Sequence, residues 1–234
     1  MKTLLFTISI VTSIIANAQQ SKTLNIATAG SLGTTLSASE KINLSSLVVT
    51  GNIDARDFVI LRDSMPSLTD IDLSSVKIVA YLGEGGTADS SENKNHRYNA
   101  DEIPPNAFYN ANTWSAKTNL QSIKLPESIT KIGIGAFKNC TGLWSFDFPQ
   151  NLTQLASFSF AGCSGLTSLN IPESVNVIGY YVFQGCSRVK SITANNPVPA
   201  VLLDFKDDFY LINKASCILF VKKGSNSLYK EAIQ

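Results

Sequence analysis

A 23-residue repeat in the second half of the chain constrains the fold more than any other feature. Three consecutive segments, Leu120–Gly142, Leu143–Gly165 and Leu166–Arg188, share the same order of residue types, and a fourth begins at Val189. The most regular columns hold proline, phenylalanine and cysteine: Pro126, Pro149 and Pro172; Phe137, Phe160 and Phe183; Cys140, Cys163 and Cys186. Because many columns agree at one spacing, the segments must be equivalent structural units.

Each repeat begins with a short alternation of apolar and polar residues. In the first repeat this is Ile123-Lys124-Leu125, which predicts a strand with one buried face. Equivalent strands one coil apart run in the same direction and form a parallel sheet, and Pro126 ends the strand because it has no N–H to donate. The other inward positions of this repeat are predicted on the opposite wall: Ile129, Ile132, Ala136, Phe137 and Cys140.

The pattern L-x-x-L-x-L within a period of 20 to 29 residues is typical of leucine-rich repeats. A single coil cannot bury enough apolar surface to fold alone, so the coils must stack and the end coils need caps. The predicted fold is an α/β-type solenoid, a right-handed leucine-rich-repeat superhelix with a parallel β-sheet on one face. Short helices are expected in the N-terminal part and β-rich regular 23-residue repeats in the C-terminal part.

The columns P-x-x-[ILV]-x-x-[IL]-[GA]-x-x-x-F-x-x-C resemble the BspA-like leucine-rich-repeat proteins of bacterial surfaces, over Leu120–Arg188. The segment Cys217–Lys230 is similar to the closing unit of that family, a strand followed by a Gly-Ser turn and a short helix. Two positions depart from the family: Lys222 stands where proline is usual, and Ala156 replaces the glycine of the other two repeats. The resemblance implies an exported attachment or recognition protein.

The first half follows the same plan less regularly. The segments Leu44–Val49 and Leu68–Leu73 repeat the strand opening 24 residues apart. Between them, Asp54 is predicted to cap a helix from Ala55 to Met65. Thr23–Ser37 is expected to form a strand–helix unit that caps the N-terminal end.

Two insertions interrupt the pattern of the first half. The segment Ile103–Phe108 matches Ile132–Phe137 with a shift of 29 residues, so six extra residues fall within Tyr109–Asn119. The polar stretch 83–102 is predicted to be a surface insertion. The expected domain organisation is one leucine-rich-repeat domain, 19–234, divided into an N-terminal cap (19–43), irregular repeats (44–119), regular repeats (120–200) and a C-terminal cap (201–234).

The N-terminus has the pattern of a secretory signal peptide, predicted over residues 1–18. A basic start is followed by the apolar run Leu4–Ile15 and by Ala16-Asn17-Ala18, which supplies small residues at the cleavage site. The apolar run is too short to span a bilayer as a helix, and the rest of the sequence offers no membrane span. We therefore expect the mature chain to be exported to the cell surface or the medium, with the periplasm as an alternative.

Composition and spacing argue against enzymatic, metal or cofactor chemistry. The chain has a single histidine, His96, in a polar stretch, and no C-x-x-C pair, so neither a catalytic triad nor a zinc site is expected. The repeated cysteines are interpreted as buried free thiols, with a Cys186–Cys217 disulfide as the alternative. The formal net charge of +1 argues against nucleic acid as a partner.

The candidate binding surface is the outer face of the strands, where each repeat presents two side chains to solvent. Ser and Thr in these columns favour a polar partner, either a protein or a glycan, and Trp144 at the edge could anchor it. The alternatives are a solvated surface without a ligand and a structural or accessory module of a cell-surface assembly. The candidate residues are Asp70, Ser122, Ser145, Ser168 and Ser191 in one column, Asp72, Lys124, Asp147, Asn170 and Thr193 in the other, and Trp144.

Overall fold

The computed structural model describes residues 20–88, 95–202 and 216–228, and within them the chain forms a parallel-strand solenoid of about seven turns. The first sheet face is built from strands that each open a coil. These strands are β1 (Ser21–Ile26), β2 (Ser46–Ile53), β3 (Asp70–Ile78), β9 (Ser122–Lys124), β12 (Ser168–Ile171), β14 (Ser191–Ala194) and β16 (Ile218–Val221). All neighbouring pairs among them are parallel, as the repeat predicted.

One coil of this solenoid is much longer than the others. The register pairs Ser168 with Ser191, one 23-residue period away, whereas Asp70 pairs with Ser122. The hydroxyl of Ser122 donates to the carboxylate of Asp70 at 2.6 Å across a sequence separation of 52 residues. The ladder of the first face therefore passes from the irregular half to the regular half without interruption, and the extra residues of this coil lie outside the ladder.

A second parallel ladder runs along another wall of the solenoid. Its two-residue strands are β6 (Glu102–Ile103), β10 (Lys131–Ile132), β11 (Gln154–Leu155), β13 (Val177–Ile178) and β15 (Val201–Leu202). The sequence analysis predicted strands on one face only, because two residues are too few for a visible alternation. Ile103, Ile132, Leu155 and Ile178 are buried, which gives β6, β10, β11 and β13 an inward anchor.

The 29-residue shift in the first half is confirmed by this second ladder. Lys131 pairs with Gln154 in the next coil but with Glu102 in the preceding one. The extra length is taken up by an antiparallel hairpin of β7 (Tyr109–Asn110) and β8 (Ser115–Ala116).

The insertion predicted at 83–102 is more ordered at its ends than expected. Strand β4 (Tyr81–Gly83) pairs antiparallel with β5 (His96–Tyr98), and the rings of Tyr81 and Tyr98 stack with centroids 6.0 Å apart. The end of the predicted insertion also contributes β6 to the second ladder. Residues 89–94 lie outside the described residues.

The helices of the described residues lie mainly in the first half, and a short helical segment follows β16 at 226–228. Those of the first half are α1 (Leu32–Thr35), α2 (Ala38–Asn43) and α3 (Ala55–Val59), and α3 continues into a π-helical turn over Ile60–Ser64. The predicted cap is confirmed: the Asp54 carboxylate accepts from the amide of Arg56 at 2.9 Å, and Asp57 completes a capping box. The predicted strand–helix segment at the N-terminal end contains β1 and α1.

The first face has a gap at the second regular repeat, where a strand was predicted around Ser145 and Asp147. Among the described residues, the first face has no strand between the coil of β9 and the coil of β12, and its strands form two separate sheets. In this coil Phe146 and Phe148 occupy the two inward positions that hold smaller aliphatic residues in the adjacent coils. We attribute the broken ladder to the larger volume of these two rings.

Columns of identical residues fill the core between the two ladders. Phe108, Phe137, Phe160 and Phe183 are buried and stack in sequence, with ring centroids 5.1 to 5.9 Å apart. The stacking of equivalent side chains, which the repeat predicted, is therefore confirmed.

The cysteine column lies beside the phenylalanines, and all four cysteines are free thiols. Each thiol in the column faces the carbonyl of the phenylalanine one coil before it. The distances are 3.0 Å from Cys163 Sγ to Phe137 O and 3.3 Å from Cys186 Sγ to Phe160 O. Burial raises the pKa of Cys140 and Cys186 to about 12. The interpretation as buried free thiols is confirmed, and the Cys186–Cys217 disulfide is not formed.

Candidate binding site

The structure brings most of the predicted surface residues into two columns on the first face. The paired register places Asp70 beside Ser122 and Asp72 beside Lys124. In the C-terminal coils, Ser168 pairs with Ser191 and Asn170 with Thr193. Ser145 and Asp147 lie in the coil without a strand, between these two groups.

The columns extend further than the sequence analysis foresaw. On the N-terminal side, Ser21 and Ser46 continue the serine column through β1 and β2. On the C-terminal side, Ile218 and Phe220 of β16 follow Ser191 and Thr193, and both are exposed. These four positions were missed because the surrounding segments do not keep the 23-residue spacing. The surface is thus polar over most of its length and apolar at β16.

Hydrogen bonds fix the acidic residue of the first column. The two carboxylate oxygens of Asp70 accept from the hydroxyls of Ser122 and Thr69, each at 2.6 Å. The carboxylate therefore joins two successive coils.

The second column contains an ion pair between coils. Lys124 Nζ lies 3.4 Å from the Asp72 carboxylate, which also accepts from the amide of Ser74 at 2.9 Å and from its hydroxyl at 2.6 Å. Burial acts to raise the pKa of Asp72, but the hydrogen bonds from Ser74 and the charge of Lys124 outweigh it, and the pKa lies below its ordinary value. Asp72 is thus a stable anion, and the side chain of Lys124 is 71% exposed.

A groove of about 370 Å³ lies on this face beside the second column. It crosses four successive coils, from the middle of β3 to β12. Two apolar side chains, Leu125 and Phe148, form its floor. The polar rim consists of Ser74, Lys124, Glu127, Asp147, Gln150 and Asn170. The groove coincides with the gap in the ladder, because the coil that contains Asp147 and Phe148 has no strand.

The polar rim of the groove carries charges of both signs. The backbone amide of Gln150 donates to the Glu127 carboxylate at 2.7 Å. Asn170 Oδ1 accepts from Asn195 Nδ2 at 2.8 Å. Asp147 is exposed, and the structure gives its carboxylate no ion pair or hydrogen bond within the described residues. The groove therefore offers an amine, two carboxylates and two amides above an apolar floor.

Three of the predicted residues line the groove, and three further polar lining residues and two apolar ones were not predicted as site residues. The predicted residues are Lys124, Asp147 and Asn170. Of the other polar lining residues, Ser74 lies within β3, and Glu127 and Gln150 follow the prolines of their repeats. Glu127 and Gln150 occupy the same column of the repeat, directly after the proline, and this could have identified them. The remaining predicted residues lie elsewhere on the same face.

Trp144 does not line the groove. Its indole is 58% exposed, and its backbone carbonyl accepts from the amide of Thr167 at 3.3 Å. It therefore stands on the serine-column side of the same coil as Asp147.

The described residues contain no cluster of three or more His, Cys, Asp and Glu side chains suited to a metal ion. His96 lies on β5 with its ring 6.3 Å from that of Tyr98. Across 20–88, 95–202 and 216–228, no helix has the length and apolar character needed to cross a membrane.

The parallel coils and the columns of inward aliphatic and aromatic residues define a leucine-rich-repeat solenoid. Residues 101–202 match the family model described as the BspA type leucine rich repeat region, in six copies. This part of the chain is therefore a BspA-type leucine-rich-repeat region, and the resemblance seen in the sequence is confirmed. None of the curated proteins compared with the chain matches it.

Three solved structures are similar to the chain over most of its length. A leucine-rich repeat protein from Bacteroides ovatus has 22% identity and a TM-score of 0.49 over 77% of the chain and 37% of its own length. A leucine rich cell surface protein from Faecalibacterium prausnitzii has 20% identity and a TM-score of 0.45 over 81% of the chain and 56% of its own length. A leucine-rich repeat protein from Eubacterium ventriosum has 15% identity and a TM-score of 0.31 over 73% of the chain and 57% of its own length. The chain thus spans 37% to 57% of the length of these proteins.

Proposed function

We propose that the protein is a non-catalytic binding protein that recognises a polar surface, on a host or matrix protein or on a glycan, through the groove on the first face. The observation that carries the proposal is the groove itself: its lining residues come from four coils, so only the stacked solenoid assembles it. The apolar floor supplies contact area, and the amine, carboxylates and amides of the rim set the orientation of a partner.

The charges of the groove favour a partner with mixed polarity. Lys124 and Asp147 occupy the same column, so the groove has no strong field of one sign that would attract nucleic acid or an anionic membrane. The region also lacks a partnered nucleophile and base among the described residues, and its cysteines in the repeat column are buried. These features support binding without catalysis.

We further propose that the chain acts outside the cytoplasm, at the cell surface or in the medium, with the periplasm as the alternative. The support is the signal-peptide pattern of residues 1–18, which lie outside the described residues, and the resemblance to exported repeat proteins. Protease added to intact expressing cells should digest a surface-displayed chain and spare a periplasmic one. A chain found only in the cytoplasmic fraction would contradict the proposal.

The binding role is tested by comparing two double variants on arrays of matrix proteins and glycans. Lys124→Ala with Trp144→Ala removes the exposed amine of the groove and the indole of the same face. Lys131→Ala with Tyr180→Ala removes an amine and an exposed aromatic ring outside the groove. We expect the first pair to weaken binding to the identified partner at least tenfold, about 1.4 kcal/mol, and the second pair to leave it unchanged. Equal affinity of both variants for every partner found would contradict the proposal.

A structural role in a larger surface assembly is a second candidate. It is favoured by β16, where Ile218, Leu219 and Phe220 are all exposed on the last described strand of the first face. Such a strand could stack on a neighbouring module through main-chain pairing and apolar contact. Self-association that is lost in Phe220→Asp, without any saturable ligand on the arrays, would favour this role over recognition.

A further inference from the structure

Both tryptophans of the chain are on the surface, although tryptophan is buried on average. Trp144 lies on the first face and was considered above. Trp114 lies elsewhere, in the loop between β7 and β8, and its exposed fraction of 78% is higher than that of any other large hydrophobic residue described. Within the described residues no other aromatic ring stacks on its indole. An indole in this position contributes nothing to the core.

The hairpin that presents Trp114 is an addition to the repeat. The second ladder shows that the coil is six residues longer here than the 23-residue period, and the hairpin takes up this extra length without displacing the ladder. The residues at its apex, from Asn112 to Ser115, are all exposed. Tyr109 at the base of the hairpin is buried, but the four apex residues take no part in the packing of the core.

The apex of the hairpin is held in one conformation by its own side chains. Asn110 Oδ1 accepts from the amides of Asn112 at 3.1 Å and of Thr113 at 3.2 Å, and the hydroxyls of Thr113 and Ser115 are 2.7 Å apart. Trp114 itself has φ of 58°, in the left-handed region that bulky residues rarely adopt. A large side chain kept in an unfavourable backbone conformation, fully presented to solvent, points to a role in binding.

Two cationic side chains fix the base of the same hairpin to the helical segment of the preceding coil. Arg62 donates to the carbonyls of Asn106 at 2.8 Å and of Tyr109 at 3.3 Å. Lys117, which is buried, donates from Nζ to the carbonyl of Met65 at 2.7 Å. The indole is therefore carried on a rigid support, which reduces the entropy lost when a ligand binds.

The chemistry around the indole favours a sugar. From Tyr109 to Ala116 the hairpin contains no charged residue, only amide, hydroxyl and small side chains around the aromatic ring. One face of a pyranose ring presents C–H groups that stack on an indole, and its hydroxyls can bond to the amides and hydroxyls nearby. A stable protein partner needs roughly 800 Å² on each side, which is far more than four apex residues provide. The hairpin itself has no basic residue, and Arg62 and Lys117 at its base are buried, which disfavours an anionic membrane.

We propose that the β7–β8 hairpin is a carbohydrate-binding site in which a neutral sugar ring stacks on the indole of Trp114. The site is separate from the groove on the first face, and neither proposal depends on the other.

The test uses the full mature chain and the fluorescence of a single tryptophan. In Trp144→Phe, Trp114 is the only remaining tryptophan, so its emission reports on this site alone. The probes are neutral hexasaccharides of β-1,4-linked glucose, xylose, mannose and N-acetylglucosamine. We expect at least one of them to change the emission saturably, with half-saturation at about 1 mM or tighter. No change with any of the four sugars would overturn the proposal.

Three variants measured by calorimetry with the active sugar complete the test. Trp114→Asn, which suits a positive φ, should weaken binding at least tenfold while the melting temperature stays equal or rises. Trp114→Tyr should retain part of the affinity because it keeps a ring face. Lys124→Ala with Trp144→Ala should bind the sugar normally, which separates this site from the groove. Unchanged affinity in Trp114→Asn, or emission that responds only to phosphatidylcholine vesicles or to a matrix protein, would overturn the proposal.

Discussion

The coil that begins at Asp70 and the coil that begins at Ser168 perform the same structural task with very different lengths of chain. The first uses 52 residues to reach its neighbour in the ladder, and the second uses 23. Both contribute one strand to the first face and one two-residue strand to the second ladder. The comparison shows that the ladders fix the fold, whereas the chain between ladder strands is free to grow outward.

The two kinds of coil are also held together differently. The regular coils rely on the phenylalanine and cysteine columns, which are buried and almost wholly apolar. The long coil contributes Phe108 to the column and adds buried polar contacts with the preceding coil. Arg62 of the preceding coil donates to three of its carbonyls, and Lys117 donates to the carbonyl of Met65. The two halves should therefore respond differently to the loss of an aromatic ring and to pH.

Removing one ring from the centre of the phenylalanine column should have the largest effect. The ring of Phe160 lies next to four others, with centroids 4.7 to 5.9 Å away. Phe160→Ala should lower the free energy of unfolding in urea by about 3–5 kcal/mol. Phe220→Ala, which truncates the same side chain on the exposed β16, should cost less than about 1 kcal/mol. Similar costs for both would show that the column does not carry the regular half.

Alkaline pH should destabilise the regular coils through their thiols. The pKa of Cys140 and Cys186 is raised by burial from 9.0 to about 12, so the unfolded chain loses these protons first. The stability they contribute is present below pH 9 and is lost as the pH rises toward 12. At pH 10.5 each of the two thiols should lower the free energy of unfolding by about 2 kcal/mol relative to pH 8. The test is urea unfolding at pH 8 and at pH 10.5. Between these two pH values the free energy of unfolding should fall by about 4 kcal/mol more in the wild type than in the double variant Cys140→Ala with Cys186→Ala.

Lys117 should give the opposite pH dependence in the long coil. Burial lowers its pKa from 10.5 to about 8, so the unfolded chain keeps this proton at higher pH than the folded chain does. Its contribution to stability is fully present above pH 10.5 and is lost as the pH falls through 8. As the pH rises from 8 to 10.5, the free energy of unfolding of the wild type should increase by about 3 kcal/mol relative to that of Lys117→Met. Parallel pH profiles of the two proteins, measured by urea unfolding, would contradict the buried position of the amine.

The smallest predicted effect is a stabilisation within the regular coils. Ser159 is fully buried in a column whose other members are Ala107, Ala136 and Val182, and its hydroxyl has no hydrogen-bond partner among the described residues. Ser159→Ala should raise the free energy of unfolding by about 1 kcal/mol, because it removes a buried polar group. The matched change Ser157→Ala removes a hydroxyl that accepts from the Tyr180 amide at 3.0 Å, and it should not stabilise the protein.

The sequence predicted the features that leave a periodic or capping signal and missed those that leave none. The columns of Phe137, Phe160 and Phe183, the Asp54 cap and the 29-residue shift could be deduced because each leaves a periodic or capping signal. The second ladder, with strands of two residues, is too short to produce an alternation. The gap at Ser145 could not be predicted because it depends on the volume of two rings in a packed core.

The candidate site was predicted only in part for the same reason. The outward columns follow from strand alternation, so Lys124, Asp147 and Asn170 could be identified. The groove depends on where neighbouring coils separate, which brings in Glu127 and Gln150 from beyond the strands. Trp114 gave no signal in the sequence, because only the structure shows that the extra length is taken up by a hairpin with its indole at the apex.

The account depends on the ladder passing directly from β3 to β9, because the groove exists only if Asp72 and Lys124 are neighbours. Nuclear Overhauser contacts between backbone protons of uniformly labelled protein test this pairing. The account predicts contacts that join Asp70, Ile71 and Asp72 to Ser122, Ile123 and Lys124. Contacts that join β9 instead to residues 99–101, one regular 23-residue period earlier, would contradict it.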